Sequence, residues 1–324
     1  MISACLNRKK LEPQEISIAD PTLLREALWI DLLAPSKEEE TLVEACLSLD
    51  VPTLEEMREI EISSRLYKEN ETLFMTAAMI AHSGSSSPKL DPVTFVLTQK
   101  QLITIRYIEP QAFKLFSLQL PRLGLTHHEA TVLLTDLLDA SIDRLADILE
   151  LIGRRLDDCS KKIFRPQSAT YTDKLDYREL LQEIGANGDL NTKARESLST
   201  FNRLTTFFEQ NAGSRINTEG QQRLTNLSKD IASLSDHAHF LSGEVNFLLN
   251  ATLGMVNIEQ NNIIKIFSVA AVVFLPPTLI ASIYGMNFHN MPELSWEWGY
   301  LAAVALMLLS SWLPYKYFKN RKWL

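Results

Sequence analysis

Cysteine is scarce in this sequence. Cys5, Cys46 and Cys159 are the three among 324 residues. They are odd in number and far apart, so they exclude a disulfide framework and a zinc ligand set and read as reduced structural thiols in a cytosolic setting. Positive charge is also in deficit: 32 Lys and Arg stand against 40 Asp and Glu, a formal net charge of −8. That balance argues against nucleic acid as a partner and suits a surface that attracts cations or stays soluble. The opening MISACLNRKK has no apolar core, so no cleaved signal peptide is expected. Catalytic signatures are missing too. There is no G-x-S-x-G, Walker A or dinucleotide fingerprint, and SGSSSP (Ser83–Pro88) lacks the glycine spacing and lysine of a phosphate cradle. His82, His127, His128, His237, His239 and His289 show no metal-protease or zinc-finger spacing. His237 and His239 lie two apart and diverge on a helix. No enzyme is expected.

The most informative absence is local. Ile266–Tyr284 carries no charge over 19 residues, and Trp298–Tyr315 none over 18. At about 1.5 Å per residue each run reaches roughly 27–29 Å, close to a bilayer core of about 30 Å. Lys265 precedes the first run; Lys316, Lys319, Arg321 and Lys322 follow the second. The loop between them holds Glu293 and Glu297 and no Lys or Arg. The positive-inside rule therefore puts both termini in the cytoplasm, with Trp296, Trp298 and Tyr300 at the outer interface and Trp312, Tyr315, Tyr317 and Trp323 at the inner one.

The remainder reads as a soluble α+β part on this two-helix anchor. Strands are expected at Ala27–Ala34, Thr72–Ala81, Pro92–Gln99 and Gln101–Tyr107, with a helix after Ser36, which forms a capping box with Glu39. From about His127, apolar residues recur at three- and four-residue steps in long helices. Gly213, Ser214 and Gly220 mark a break. One helix then runs from about Gln221 into the membrane, and a helix of that length needs partners. The expected segments are 1–109 (α/β), 110–220 (long helices), 221–284 (stalk and first span), 285–297 (outer loop), 298–315 (second span) and 316–324 (basic tail).

Alternating steps of four and three along the long helix place Asn250, Gly254, Asn257, Asn261, Ile264, Ser268, Ala271, Leu275, Thr278 and Ser282 on one face. This is the seam of a left-handed supercoil. It carries asparagines and small or hydroxyl residues where leucine is usual. Small residues and Ser/Thr serve as helix–helix packing glue. They also suit the wall of a narrow polar path, which one two-span chain cannot enclose but a ring of copies can. The seam alone leaves both readings open.

The loop after the first span reads YGMNF, then MPEL. Gly285–Met286–Asn287 at the end of a span, Met291–Leu294 at the following spacing, FLPPTLIASIYGMN and the closing KWL together resemble the CorA family of divalent-cation transporters. Gly285 suits a helix C′ position with positive φ. Helix C-termini expose carbonyls, and Asn287 places amide oxygens beside them. A ring of neutral oxygens holds hydrated Mg²⁺ through its waters without trapping it, while Glu293 and Glu297 raise the local cation concentration.

The resemblance implies a homopentameric funnel in the inner membrane. Its pore is lined by the first span, and it carries Mg²⁺ with passage of Co²⁺ and Ni²⁺. No resident cofactor is implied beyond transported and regulatory Mg²⁺; membrane lipid surrounds the assembly. Family gate positions match Ile264, Phe267 and Leu275, and polar pore positions match Thr278 and Asn287. A family sensor acid falls on Asn226 and a stalk aspartate on Asn250, so the regulatory metal site stays unassigned, with Asp230 and Asp236 as candidates. A ZntB-like Zn²⁺ transporter and a non-transporting membrane-anchored receptor remain as alternatives.

Overall fold

The computed structural model describes residues 1–6, 13–15, 22–59, 61–85, 87–120, 129–164, 176–286, 291, 296–321 and 323. The chain divides into two compact units, Met1–Leu249 and Asn250–Leu324. The division falls inside a long helix, whereas the sequence reading sets its boundaries at the ends of that helix.

The first unit contains a mixed sheet. Its strands are β1 (Ile2–Leu6), β2 (Pro13–Glu15), β3 (Ala27–Leu33), β4 (Leu66–Glu69), β5 (Thr72–Ala81), β6 (Lys89–Leu97) and β7 (Leu102–Arg106), in the order β2-β1-β3-β7-β6-β5-β4. Neighbours are antiparallel except β3 and β7, which run parallel with Asp31 beside Thr104. Short helices α1 (Thr22–Glu26), α2 (Lys37–Leu47), α3 (Leu54–Arg58) and α4 (Ile62–Arg65) join the strands. The capping box is present: Ser36 Oγ accepts from Glu39 N at 3.3 Å, and Glu39 accepts from Ser36 N at 2.8 Å. A core of Ile2, Ile30, Leu32, Val43, Met57, Phe74 and Ile103 fills the space between sheet and short helices.

Polar side chains of β3 and β7 pair with one another inside this unit. Trp29 Nε1 donates to Thr104 Oγ1 at 3.0 Å, and Thr104 Oγ1 donates to Asp31 Oδ1 at 2.7 Å. Arg106 Nη2 donates to Asp31 Oδ2 at 2.7 Å, and Arg106 Nη1 reaches the Ile108 carbonyl at 3.0 Å. Cys5 lies buried nearby. Burial, and secondarily the Asp31 charge, push its thiol up to about 12. Burial likewise raises Cys159 to about 11. None of the three cysteines forms a disulfide, as the sequence reading expects, and Cys5 and Cys159 stay protonated and unreactive at neutral pH.

Helices α5 (Gln111–Gln119), α6 (Ala130–Phe164) and α7 (Tyr177–Asn211) follow, then a 3₁₀ turn at Gly213–Arg215 and α8 (Thr218–Tyr284). α7 packs on the sheet. Ala78 of β5 stands opposite Pro92, which has no N–H to give. The backbone groups of Ala78 are met from α7 instead: Ser197 Oγ donates to its carbonyl at 2.6 Å, and its N–H donates to Thr200 Oγ1 at 2.9 Å. α8 packs closely on α7, where a Cβ at Gly188 would meet Val245 Cγ1 at 3.1 Å. α8 starts three residues earlier than the sequence suggests. Gly220 sits in its first turn, its N–H donating to Asn217 Oδ1 at 2.8 Å.

The second unit holds the rest of α8 and α9 (Gly299–Asn320). Both helices are long and apolar enough to cross a membrane. α9 continues five residues beyond the expected end at Tyr315, because Lys316, Tyr317, Phe318 and Lys319 contain no helix breaker.

Candidate functional site

The seam residues fall where helical geometry places them. Asn250, Gly254, Asn257, Asn261, Ile264, Ser268, Ala271, Leu275, Thr278 and Ser282 all lie on α8, and all are exposed in the protomer, as is Phe267. Within the charge-free run of α8, the residues with reduced exposure form a different stripe. Val269 is buried, and Ala270, Val273, Pro276, Pro277, Ile280 and Tyr284 are half-buried. At about 100° per residue this stripe centres on Val273 and lies about 180° from the seam. α9 has a matching half-buried stripe at Ala303, Met307, Ser310, Ser311, Pro314 and Phe318. Val273 shares a groove with Ala305 and Trp312, which places α9 over the covered face. The polar seam is left bare, together with apolar flanks such as Phe274 and Leu279.

The seam chemistry is that of hydrogen-bond acceptors. Thr278 Oγ1 donates to the Phe274 carbonyl at 2.7 Å, so its oxygen lone pairs remain for a ligand. Asparagine amides at 250, 257 and 261 add further oxygens, and no charged residue lies on the seam. Such a surface accepts hydrogen bonds from the waters around a cation. Pro276 and Pro277 lie inside the helix and lack the N–H groups that would bond the Val272 and Val273 carbonyls.

At the outer end of α8 the structure corrects one expectation. Gly285 does not adopt a left-handed conformation. Its N–H bonds the Ala281 carbonyl at 2.9 Å and Met286 N bonds the Ile283 carbonyl at 3.2 Å, so the last turn simply tightens. A Cβ at Gly285 would stand 3.0 Å from the Ala281 oxygen. Glycine therefore relieves crowding here rather than supplying positive φ. Asn287 and Glu293 lie outside the described residues. Glu297 is exposed just before α9, beside exposed Trp296 and Trp298.

Basic and aromatic side chains meet at one flank of the second span. At the far end of α9, Lys316 Nζ sits 4.7 Å from the Trp312 ring centroid and Lys319 Nζ 5.8 Å from that of Tyr315. Such pairs hold a basic, aromatic end at a membrane interface.

The model of the family described as CorA-like Mg2+ transporter protein matches residues 25–320. The chain belongs to the CorA family. It is 35% identical over 325 residues to the magnesium transport proteins CorA of Yersinia pseudotuberculosis and Escherichia coli K12, covering 100% of both chains in each case. Among solved structures it resembles the complete CorA magnesium transporter of Methanocaldococcus jannaschii. That likeness has a TM-score of 0.76 at 20% identity and covers 100% of this chain and 99% of the other. Membership makes this a membrane protein with two C-terminal transmembrane helices and a transporter rather than an enzyme.

One feature of α6 escaped the sequence reading, although its spacing is visible there. Asp136, Asp139, Asp143 and Asp147 of α6 recur at steps of three and four. Arg223 of α8 pairs with Asp136 and with Asp139, the latter at 3.3 Å. Burial, then the charges of Asp139, Asp147 and Asp230, push the Asp143 carboxyl above its usual range. Asp230, a sensor candidate, thus faces this row; Asp236 is exposed elsewhere on α8. Among the described residues no group of three or more His, Cys, Asp or Glu is arranged to hold a metal ion.

Proposed function

We propose that this chain is the subunit of a homopentameric, channel-like transporter that takes up Mg²⁺ across the inner membrane, both termini lying in the cytoplasm, with passage of Co²⁺ and Ni²⁺. The observation that carries this reading is the placement of α9. It covers the apolar stripe of α8 and leaves the acceptor-rich seam uncovered. In a membrane an exposed polar stripe needs either partners or water, and a symmetric ring of copies supplies both.

The substrate is a small cation that gives up its waters reluctantly. Asn250, Asn257, Asn261, Ser268, Thr278 and Ser282 supply neutral acceptors for a hydrated ion. Ile264, Phe267, Ala271 and Leu275 supply apolar rings that block by dewetting when narrow. Gly285–Met286–Asn287 forms the outer mouth, where Asn287 orders the water shell. Glu293 and Glu297 concentrate cations before it.

The test is ion uptake by proteoliposomes holding the full-length chain, with Asn287→Ala alongside. Mg²⁺ entry by the unaltered chain and its loss in Asn287→Ala, with an unchanged oligomer mass, is the expected result. Normal Mg²⁺ uptake by Asn287→Ala refutes the role of the outer mouth. Entry of Zn²⁺ in place of Mg²⁺ refutes the ion assignment.

A further inference from the structure

We infer that the groove between α8 and α9 is a binding site for an anionic phospholipid of the cytoplasmic leaflet. The groove measures about 640 Å³ and is lined by Val273 of α8 and by Ala305, Leu308, Leu309, Trp312 and Tyr315 of α9. That volume falls in the range of about 300–1,000 Å³ that bound small molecules fill. From Ala305 to Tyr315 the wall runs ten helical steps, roughly 15 Å, or half of a hydrocarbon core of about 30 Å. It therefore matches the depth of one leaflet, and its Tyr315 end lies beside the basic end of the span.

The head of the site carries the charge that selects the lipid. Lys316 and Lys319 stand over the Trp312 and Tyr315 rings, and those two rings also line the groove. Lys316, Lys319 and Arg321 form no ion pair among the described residues. No Asp or Glu occurs after Glu297. An acyl chain lying along Leu308 and Leu309 brings a phosphate to these lysines. Both requirements of an anionic lipid, an apolar channel and an unpaired cation at its mouth, are met by one helix. The occupant is lipid rather than a second copy because Val273 lies on the α8 face opposite the seam. The site rests on the proposed function only in that the seam, and not this face, turns toward the axis.

The test is native mass spectrometry of the full-length protein in mild detergent, with phosphatidylglycerol or phosphatidylcholine of identical chains added. The unaltered protein is expected to retain phosphatidylglycerol in preference. An attraction near the membrane surface contributes about fivefold for each lysine, so Lys316→Gln with Lys319→Gln lowers phosphatidylglycerol retention roughly 25-fold and leaves phosphatidylcholine unchanged. Ala305→Trp fills the groove with both lysines intact and is expected to lower retention as well. Equal retention of the two lipids by the unaltered protein overturns the proposal. So does undiminished retention in Ala305→Trp, which leaves surface charge alone as the cause. Loss of subunits rather than lipid in Ala305→Trp assigns the groove to a second copy and also overturns it. The same spectra report oligomer mass: a monomer throughout refutes the ring of copies, while the lipid count per chain still judges the groove.

Discussion

Leu275→Asn is expected to raise basal Mg²⁺ flux, and the exposure of Leu275 sets the scale. Leu275 is 65% exposed in the protomer. Fully burying a leucine is favourable by about 1.5–3 kcal/mol, so covering the exposed share in a closed ring contributes about 1–2 kcal/mol per chain. Over the five chains of the proposed ring that sums to about 5–10 kcal/mol in favour of closure. A shift of about 5.5 kcal/mol takes a two-state equilibrium from 1:99 to 99:1. Asparagine removes this apolar burial and keeps a comparable side-chain length, so the ring stays wet and open more of the time. The assay is Mg²⁺ entry into vesicles followed with an internal fluorescent indicator at matched protein content. Val269→Ala is the control. Val269 is 3% exposed and lies on the stripe that α9 covers, so its truncation is expected to lower thermal stability without raising flux. Unchanged flux in Leu275→Asn, or an equal rise in Val269→Ala, would refute the assignment of the seam to the pore.

Three further outcomes are expected. Asp31→Asn leaves Arg106 buried without its charge partner and costs about 3–5 kcal/mol; at about 2–4 °C per kcal/mol, thermal scanning of the first unit's transition reads a fall of roughly 6–20 °C. Asp143→Asn is expected to stabilise the protein at neutral pH. The folded-state carboxyl is raised by burial and by Asp139, Asp147 and Asp230, despite Arg144 and Arg223 nearby. Its ionisation therefore costs the folded state above the folded pKa, and the benefit of the substitution vanishes below the ordinary aspartate range of about 3.9; melting curves from pH 3 to pH 7 check the sign. Gly285→Ala is expected to assemble normally, since the backbone there is not left-handed and the Ala281 oxygen must yield only slightly, whereas Gly285→Val is expected to lower the yield of oligomer in size-exclusion chromatography.

What the sequence disclosed was mostly short-range. The Ser36–Glu39 box, the strand Thr72–Ala81 and the two charge-free runs each rest on residues close together in the chain, and each appears in the structure. β1 was not legible, because ISACL is short and neither strictly alternating nor wholly apolar. The parallel pairing of β3 with β7 joins Asp31 to residues more than 70 positions away, and no local pattern encodes it. Gly285 was misread because a glycine at a helix end serves either positive φ or close approach, and only coordinates separate the two. Seam periodicity was legible, but the face that α9 covers was not. Val269, Val273 and Ile280 are as apolar as the lipid-facing residues around them, so hydrophobicity carries no signal about which side meets a helix.

That hidden choice of face narrows what the small and polar residues of α8 do. Had they served as packing glue within the chain, α9 would sit on Ser268, Ala271, Thr278 and Ser282, where small side chains let two backbones approach. It sits instead on Val269, Val273, Pro276, Pro277 and Ile280. Intrachain glue is therefore not their role. On the proposed assembly two roles remain: dry packing between copies, or a hydrated path among them. Dry packing favours close contact of small residues at every level, yet Leu275 interrupts the small positions Ala271 and Thr278, and three asparagines continue the same stripe beyond the first span. Asparagine buried in a dry ring leaves amide groups that need partners, whereas asparagine facing water is satisfied by it. The alternation of acceptor and apolar levels on one uncovered face fits a path that is wet along most of its length and closes by dewetting at its apolar rings. Leu275→Asn distinguishes these cases in direction: in a dry interface it costs assembly, and in a gated path it costs closure.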